Sequence, residues 1–287
     1  MKAIVKTKDS IKLLNLSIPT LADENSVLIK VNLAGLCRTD MFAAQNKISV
    51  DEGLILGHEC TGTIEQKGVQ VTHLQIGQRV SVMPIFEDCT MLGVEHNGAF
   101  AEYLTLPATK VYPIPDTLSQ EEAAFIEPIA ACLAVCHTDI KSYQRGLIYG
   151  SNRIAELTRR ILAIKGFDGV EMHNDKTASN AYDFIIETVP SAEAFRTITR
   201  LVKPKGLIIL KSRPFNSIEL PITTIVQKEI RLIGAHYADF QEAINLVASG
   251  TLHIKDLLGA TFTFEQAVPI LLGTTPVAED LKLFFKP

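Results

Sequence analysis

Residues 57–71 read Gly-His-Glu-Cys-Thr-Gly-Thr-Ile-Glu-Gln-Lys-Gly-Val-Gln-Val, and 21 positions before His58 stands Cys37, in Gly35-Leu36-Cys37-Arg38-Thr39-Asp40. A thiolate and an imidazole both suit Zn²⁺. Neither means much alone, because free cysteine behaves as a small buried hydrophobe. The combination on two short glycine-bracketed segments, with Glu59 beside the histidine, is far more specific.

Around these segments the first third of the chain reads as β. Val27–Asn32, Gly62–Gln66 and Arg79–Met83 are short β-branched runs between Gly, Pro and Asp breakers. Asn97-Gly98 looks like a turn feeding a strand over Ala99–Leu106. Ser119 followed by Glu121 and Glu122 is a helix-start signature, and the apolar pattern after it predicts one long helix to Thr138. From Gly146 strands and helices alternate: Leu147–Tyr149, Arg153–Lys165, Val170–Met172, Phe184–Glu187, Ala192–Val202, Gly206–Lys211, Glu229–Gly234 and Phe240–Ala248. That rhythm implies βαβ units and a parallel sheet. A helix over Phe264–Leu272 and a strand over Leu281–Phe285 close the chain. The expected organisation is a β-rich domain over residues 1–118, a doubly wound α/β domain over 119–250, and a tail, 251–287, that returns to the first domain.

Composition narrows the function class. The 287 residues are 47% hydrophobic and 21% charged, enough for a sizeable core. With 28 basic and 32 acidic residues the net charge is −4, and no basic cluster stands out, so nucleic acid and anionic membrane are not expected partners. No apolar run reaches the ~18 residues of a membrane span. Lysines 2, 6, 8 and 12 break up the first fourteen residues, which offer no signal-peptide core. Five cysteines are an odd count without disulfide-scaffold spacing, which fits a reducing, cytoplasmic compartment.

Residues 57–71 resemble, without a gap, the signature of zinc-containing alcohol dehydrogenases in the medium-chain dehydrogenase/reductase superfamily. Cys37-Arg38-Thr39-Asp40 resembles the first-ligand motif of the same family, and Glu127 in Phe125-Ile126-Glu127-Pro128 resembles a later acidic position of sorbitol, threonine and glucose dehydrogenases. The likeness runs to the closing Leu281–Phe285 and is closest over 1–135. It implies a GroES-like catalytic domain joined to a Rossmann-like nucleotide domain. It implies that Cys37 and His58 ligate one catalytic zinc, that Glu59 or Glu127 completes the shell, and that Asp40 orients His58. Thr39 would relay the proton of an alcohol, polyol or sugar substrate. Relatives often carry a second, structural zinc on four closely spaced cysteines; here only Cys89 stands in that region, so no structural zinc is expected. The family commonly forms dimers or tetramers, and Ile208–Leu210 and Glu229–Gly234 are candidate strands near the sheet edge that pairs.

A nicotinamide dinucleotide needs its pyrophosphate at a helix N-terminus, reached through a glycine-rich turn. Gly150-Ser151-Asn152-Arg153-Ile154-Ala155 occupies that place: the first glycine is kept, Asn152 replaces the second and Ala155 the third. Asn152 brings a side chain to where backbone should approach phosphate, so weak binding is expected. Arg38 is a candidate to help neutralise the pyrophosphate. Glu171, 21 positions after Gly150, is the candidate ribose carboxylate. It predicts NAD over NADP, with no arginine between 166 and 181 to offset it and Lys176 as the sole nearby cation. Val189 lies in the stretch that resembles the loop passing the nicotinamide. Only His173–Asp183 separate the second strand from the next, too few residues for a helix and a strand, so the nucleotide domain reads as truncated. The competing reading is a zinc-binding, non-redox relative serving a binding or regulatory role.

Overall fold

The computed structural model describes residues 1–174, 178–277 and 280–287. In chain order the elements are β1 (Lys2–Lys6), β2 (Ile11–Asn15), β3 (Ser26–Gly35), α1 (Arg38–Ala44), β4 (Glu59–Lys67), β5 (Arg79–Val82), β6 (Tyr103–Pro107), β7 (Val111–Pro113), α2 (Gln120–Ala124) and α3 (Ile126–Leu133). There follow β8 (Gly146–Tyr149), α4 (Arg153–Ile164), β9 (Val170–Met172), β10 (Tyr182–Glu187), α5 (Ala192–Leu201), β11 (Val202–Leu210), α6 (Ile222–Gln227), β12 (Arg231–Gly234) and α7 (Phe240–Ala248). The last three are β13 (Leu258–Thr263), α8 (Phe264–Leu271) and β14 (Lys282–Lys286). Two compact units result, Met1–Glu127 with His253–Pro287, and Pro128–Leu252. The first boundary falls after Glu127 rather than after Leu118, because α2 packs on β3, β4 and β5. Among the described residues no helix is long and apolar enough to cross a membrane.

The first unit is built on β3. Its sequence, Ser-Val-Leu-Ile-Lys-Val-Asn-Leu-Ala-Gly, is buried along nearly its whole length, as a strand with neighbours on both edges requires. Antiparallel β4 and β6 pair with it, and so does β14, which brings the end of the chain back to Ala34 and Gly35. The sheet order is β13-β14-β3-β4-β5-β7. On α8, Phe264, Ala267, Ile270 and Leu271 recur at helical spacing and enter the same core as Val27, Ile29 and Val31. Phe285 meets Phe100 edge to face at 5.2 Å.

The second unit holds five parallel strands in the order β12-β11-β10-β8-β9. Alternate strand residues serve opposite faces. Ile148, Phe184, Ile186 and Ile209 pack with Ala155 and Leu162 of α4. Leu147, Ile185 and Ile208 pack with Phe195, Ile198 and Leu201 of α5. Helices on both faces explain why these strands are continuously apolar rather than alternating. A full dinucleotide sheet runs 3-2-1-4-5-6. Here, among the described residues, nothing lies beyond β9, so the expected truncation is present.

One helix differs from expectation. The helix foreseen over 119–138 breaks at Phe125 into α2 and α3. Pro128 is the cause: it has no N–H, and its ring clashes with the carbonyl four residues back, that of Ala124. The start signal stands, since Ser119 Oγ accepts the Glu122 N–H at 3.1 Å. Ile208–Leu210 lies in β11, next to the edge strand β12, so both candidate strands are near the sheet edge. Lys176 lies outside the described residues.

Gly62 tests the central pairing. A Cβ there would press into Ile29 Cγ2 and come within 2.5 Å of the Lys30 carbonyl oxygen, which backbone cannot yield. Gly62→Ala is expected to destabilise the protein by about 1–3 kcal/mol, read as a lower denaturant midpoint at unchanged slope. An unchanged midpoint would contradict the close approach of β3 and β4.

Candidate active site

Strand pairing assembles the metal candidates. The β3–β4 register sets Gly35 opposite Glu59, so the chain leaving β3 passes beside the chain entering β4. Gly57 makes that entry possible: its φ of +95° favours glycine, and a Cβ would meet Phe100 Cδ1 at 2.5 Å. One ligand atom each from Cys37, His58 and Glu59 lies within 4.8 Å of the others. His58 and Glu59 are buried and Cys37 is half-buried.

Asp40 organises the group. Its Oδ2 accepts the Cys37 backbone N–H at 2.9 Å and fixes the first turn of α1. Its Oδ1 lies 3.1 Å from His58 Nδ1. A carboxylate only accepts, so Nδ1 carries a proton and Nε2 is the nitrogen that offers a lone pair once the ring is neutral. Nε2 is buried without a hydrogen-bond partner. An unpartnered buried polar atom is costly unless something binds it. A thiolate, a lone-pair imidazole nitrogen and a carboxylate fit Zn²⁺. Burial opposes a charge on His58, but the Asp40 carboxylate and the Cys37 sulfur outweigh it and hold its pKa well above the ordinary value. Burial pushes the Glu59 carboxyl up; Lys282 pulls it down and Glu127 pushes it up again.

Thr39 Oγ1 stands 3.8 Å from Cys37 Sγ, half-buried, while Arg38 is exposed on α1. Glu127 is buried in α3; it is not one of the three clustered residues, though its charge acts on Glu59. Cys60 is not one of the three clustered residues, and burial pushes its thiol up to about 12. Cys89 is exposed, in a loop closed by a Thr90–His96 hydrogen bond and by Phe86 on His96 at 4.1 Å.

In the second unit Gly150 turns the chain out of β8 at a φ of +132°. Asn152 caps α4, its Oδ1 accepting the Ala155 N–H at 3.0 Å. Its Nδ2 donates to the Thr188 carbonyl oxygen at 2.9 Å and to Thr188 Oγ1 at 3.3 Å. Thr188 in turn donates from N and Oγ1 to the Tyr149 carbonyl oxygen, at 3.1 and 2.9 Å. The turns leaving β8 and β10 are thus clasped together, with the buried Ala155 beneath and Val189 41% exposed beside them. Glu187, the last residue of β10, is also buried; burial raises its pKa, and its Oε1 has no hydrogen-bond partner.

Glu171 is not where a ribose ligand is needed. Its carboxylate binds Arg145 Nε at 2.9 Å, a second Arg145 nitrogen at 2.8 Å and the Tyr182 hydroxyl at 2.9 Å. Arg145 directly precedes β8 and Tyr182 opens β10, so these partners mark the amino ends of the strands. Ligands of parallel sheets bind beyond the carboxyl ends. At that end of β9 stands His173, its ring 4.4 Å from Tyr149. The cation that offsets Glu171 is Arg145, distant in sequence and invisible to a search of the neighbouring residues. Nothing in the sequence marks Thr188 or Lys282 as site residues either.

Residues 23–116 match the alcohol dehydrogenase GroES-like domain family. A D-xylulose reductase of Morganella morganii is 24% identical, covering 85% of this chain and 88% of its own. An L-threonine 3-dehydrogenase of Xanthomonas oryzae pv. oryzae is 38% identical over 45% of this chain and 44% of its own. The structure of acetophenone reductase from Geotrichum candidum NBRC 4597 in complex with NAD aligns over 100% of this chain and 97% of that one, with a TM-score of 0.83 at 22% identity. Residues 23–116 thus belong to the alcohol dehydrogenase GroES-like domain family, and over most of its length the chain is similar to a D-xylulose reductase and shares the fold of an acetophenone reductase.

Proposed function

We propose that the chain is a zinc-dependent oxidoreductase that moves hydride between a nicotinamide dinucleotide and a secondary alcohol or polyol, or the matching ketone. The observation that carries this reading is the buried, unpartnered Nε2 of His58 beside Cys37 and Glu59. Relatives named for the ketose D-xylulose, for L-threonine and for the aryl ketone acetophenone support the substrate class. When bound, zinc supplies a Lewis acid that lowers the alcohol pKa, and the dinucleotide supplies the hydride carrier.

The chain's own residues do the rest. Cys37, His58 and either Glu59 or Glu127 hold the metal. Asp40 fixes the His58 tautomer and ring plane through its 3.1 Å contact. Thr39 accepts the substrate hydroxyl proton at Oγ1 and passes it outward, for which its half-buried position beside Cys37 is suited. Gly150, Asn152, Ala155 and Val189 line the turn for the dinucleotide. The five cysteines, an odd number, suit a reducing, cytoplasmic setting. Two copies would pair along β12, the outer strand of the second-unit sheet, with Ile222 and Val226 exposed one turn apart on α6. A second reading, a non-redox zinc protein, draws on the Asn152 clasp alone.

One zinc per chain is expected by elemental analysis. Affinity should fall as pH is lowered, because the cation must displace protons favoured at His58 and Glu59. Asp40→Asn should weaken zinc about 10–100-fold. Two zincs per chain, or none after metal-supplemented purification, would sink the assignment.

The clasp predicts the cofactor's behaviour. A dinucleotide phosphate at α4 must displace two Asn152 hydrogen bonds to Thr188. At about 1 kcal/mol each, with a few tenths lost from a glycine cap, Asn152→Gly should tighten NAD about 10–30-fold by calorimetric titration. Binding of neither NAD nor NADP by wild type and variant, with zinc present, would favour the non-redox reading.

The NAD preference expected from Glu171 should be small, since Arg145 neutralises that carboxylate. Glu171→Ala is expected to leave the NAD to NADP affinity ratio unchanged. A large shift toward NADP in the variant would return Glu171 to the site.

A further inference from the structure

Lys282 is 1% exposed and pairs with Glu59, itself 1% exposed. The fold arranges this contact across three strands. Glu59 opens β4 on one side of β3, and β14 begins at Lys282 on the other. Between them is Gly35, opposite Glu59 on one edge and Phe284 on the other. The missing side chain at Gly35 leaves the space: a Cβ there would lie 2.5 Å from Glu59 Oε2 and 2.8 Å from Lys282 Cε. The Lys282 ammonium also sits 6.0 Å from the centroid of the Phe125 ring.

A buried ammonium needs a counter-charge, and losing one partner of such a pair is strongly unfavourable. Glu59 is that counter-charge. It is also within reach of Cys37 and His58, where the metal reading puts a dication. The same carboxylate therefore faces two cations, and because Glu59 and Lys282 are both buried their charges are poorly screened. It cannot serve both fully, and the ammonium and the metal repel each other.

We propose that Lys282 is a positioning residue that competes with the bound metal for the Glu59 carboxylate, and so sets how tightly the metal is held. The proposal rests on the metal reading given above. Glu59 is then an exchangeable ligand, kept from permanent attachment by the last strand of the chain. The folded chain gives up metal affinity for a ligand that can leave.

The test is a cobalt titration, followed by the visible absorption of the ion and by its release to a chelator, on full-length wild type, Lys282→Met, Glu59→Gln and the double variant. Lys282→Met should bind cobalt about tenfold more tightly or better, release it more slowly, and alter the spectrum as Glu59 engages. The same change in the Glu59→Gln background should have a much smaller effect, no more than the direct repulsion contributes, and Lys282→Arg should behave as wild type. If Lys282→Met does not fold, Lys282→Gln, which keeps a donor and loses the charge, carries the same expectations. Unchanged or weaker binding on loss of the lysine charge overturns the proposal. So does an equal gain in the Glu59→Gln background, which would mark a general charge effect. Metal binding by wild type keeps the metal reading intact in either case; a wild-type chain that takes up no metal overturns both.

Discussion

The pairing of β3 with β4 is the constraint on which the first unit depends. Its register fixes Gly35 opposite Glu59, and both ends of the candidate metal group follow from it. Cys37 lies two residues past the end of β3 and His58 one residue before β4, so the hydrogen-bonded ladder itself brings the two together. Asp40 then ties the segments to each other, with one oxygen on the Cys37 amide and the other on the His58 ring. The helix start and the imidazole tautomer thus share one carboxylate. A site supported in this way is held by its surroundings before any cation arrives, which is the condition for a well-defined metal shell.

The second unit shows the opposite tendency. Its sheet provides the carboxyl-end turns that a dinucleotide uses, yet the chain has bound those turns to each other. Asn152 satisfies the Ala155 amide from inside and holds Thr188 with its other side-chain atom. A phosphate at this helix start meets donors already engaged, so binding is a competition with the protein's own hydrogen bonds rather than the filling of an open cradle. If the chain binds a dinucleotide as proposed, this competition lowers the affinity without requiring a different fold.

Local signals made the metal group legible. Cys37, His58, Glu59 and Asp40 lie in two short segments whose spacing and glycines carry the pattern. The second-unit strands were legible because burial on both faces makes them continuous apolar runs. For Glu171, distance along the chain gives a position on a strand, not the partners its side chain meets; Arg145, just before β8, and Tyr182, which opens β10, hold it. The break before α3 was available in the sequence, since Pro128 forbids a hydrogen bond to Ala124. Lys282 was not, because its meaning comes from β14 lying beside β3, which no local motif encodes.

The central claim is that one thiolate, one imidazole and a carboxylate hold a single zinc. X-ray absorption at the zinc edge of the loaded protein tests this most directly, because it counts sulfur against nitrogen and oxygen. The account predicts one sulfur at about 2.3 Å and the remaining ligands nitrogen or oxygen at about 2.0–2.2 Å. A shell of three or four sulfurs, or one with no sulfur at all, would contradict it.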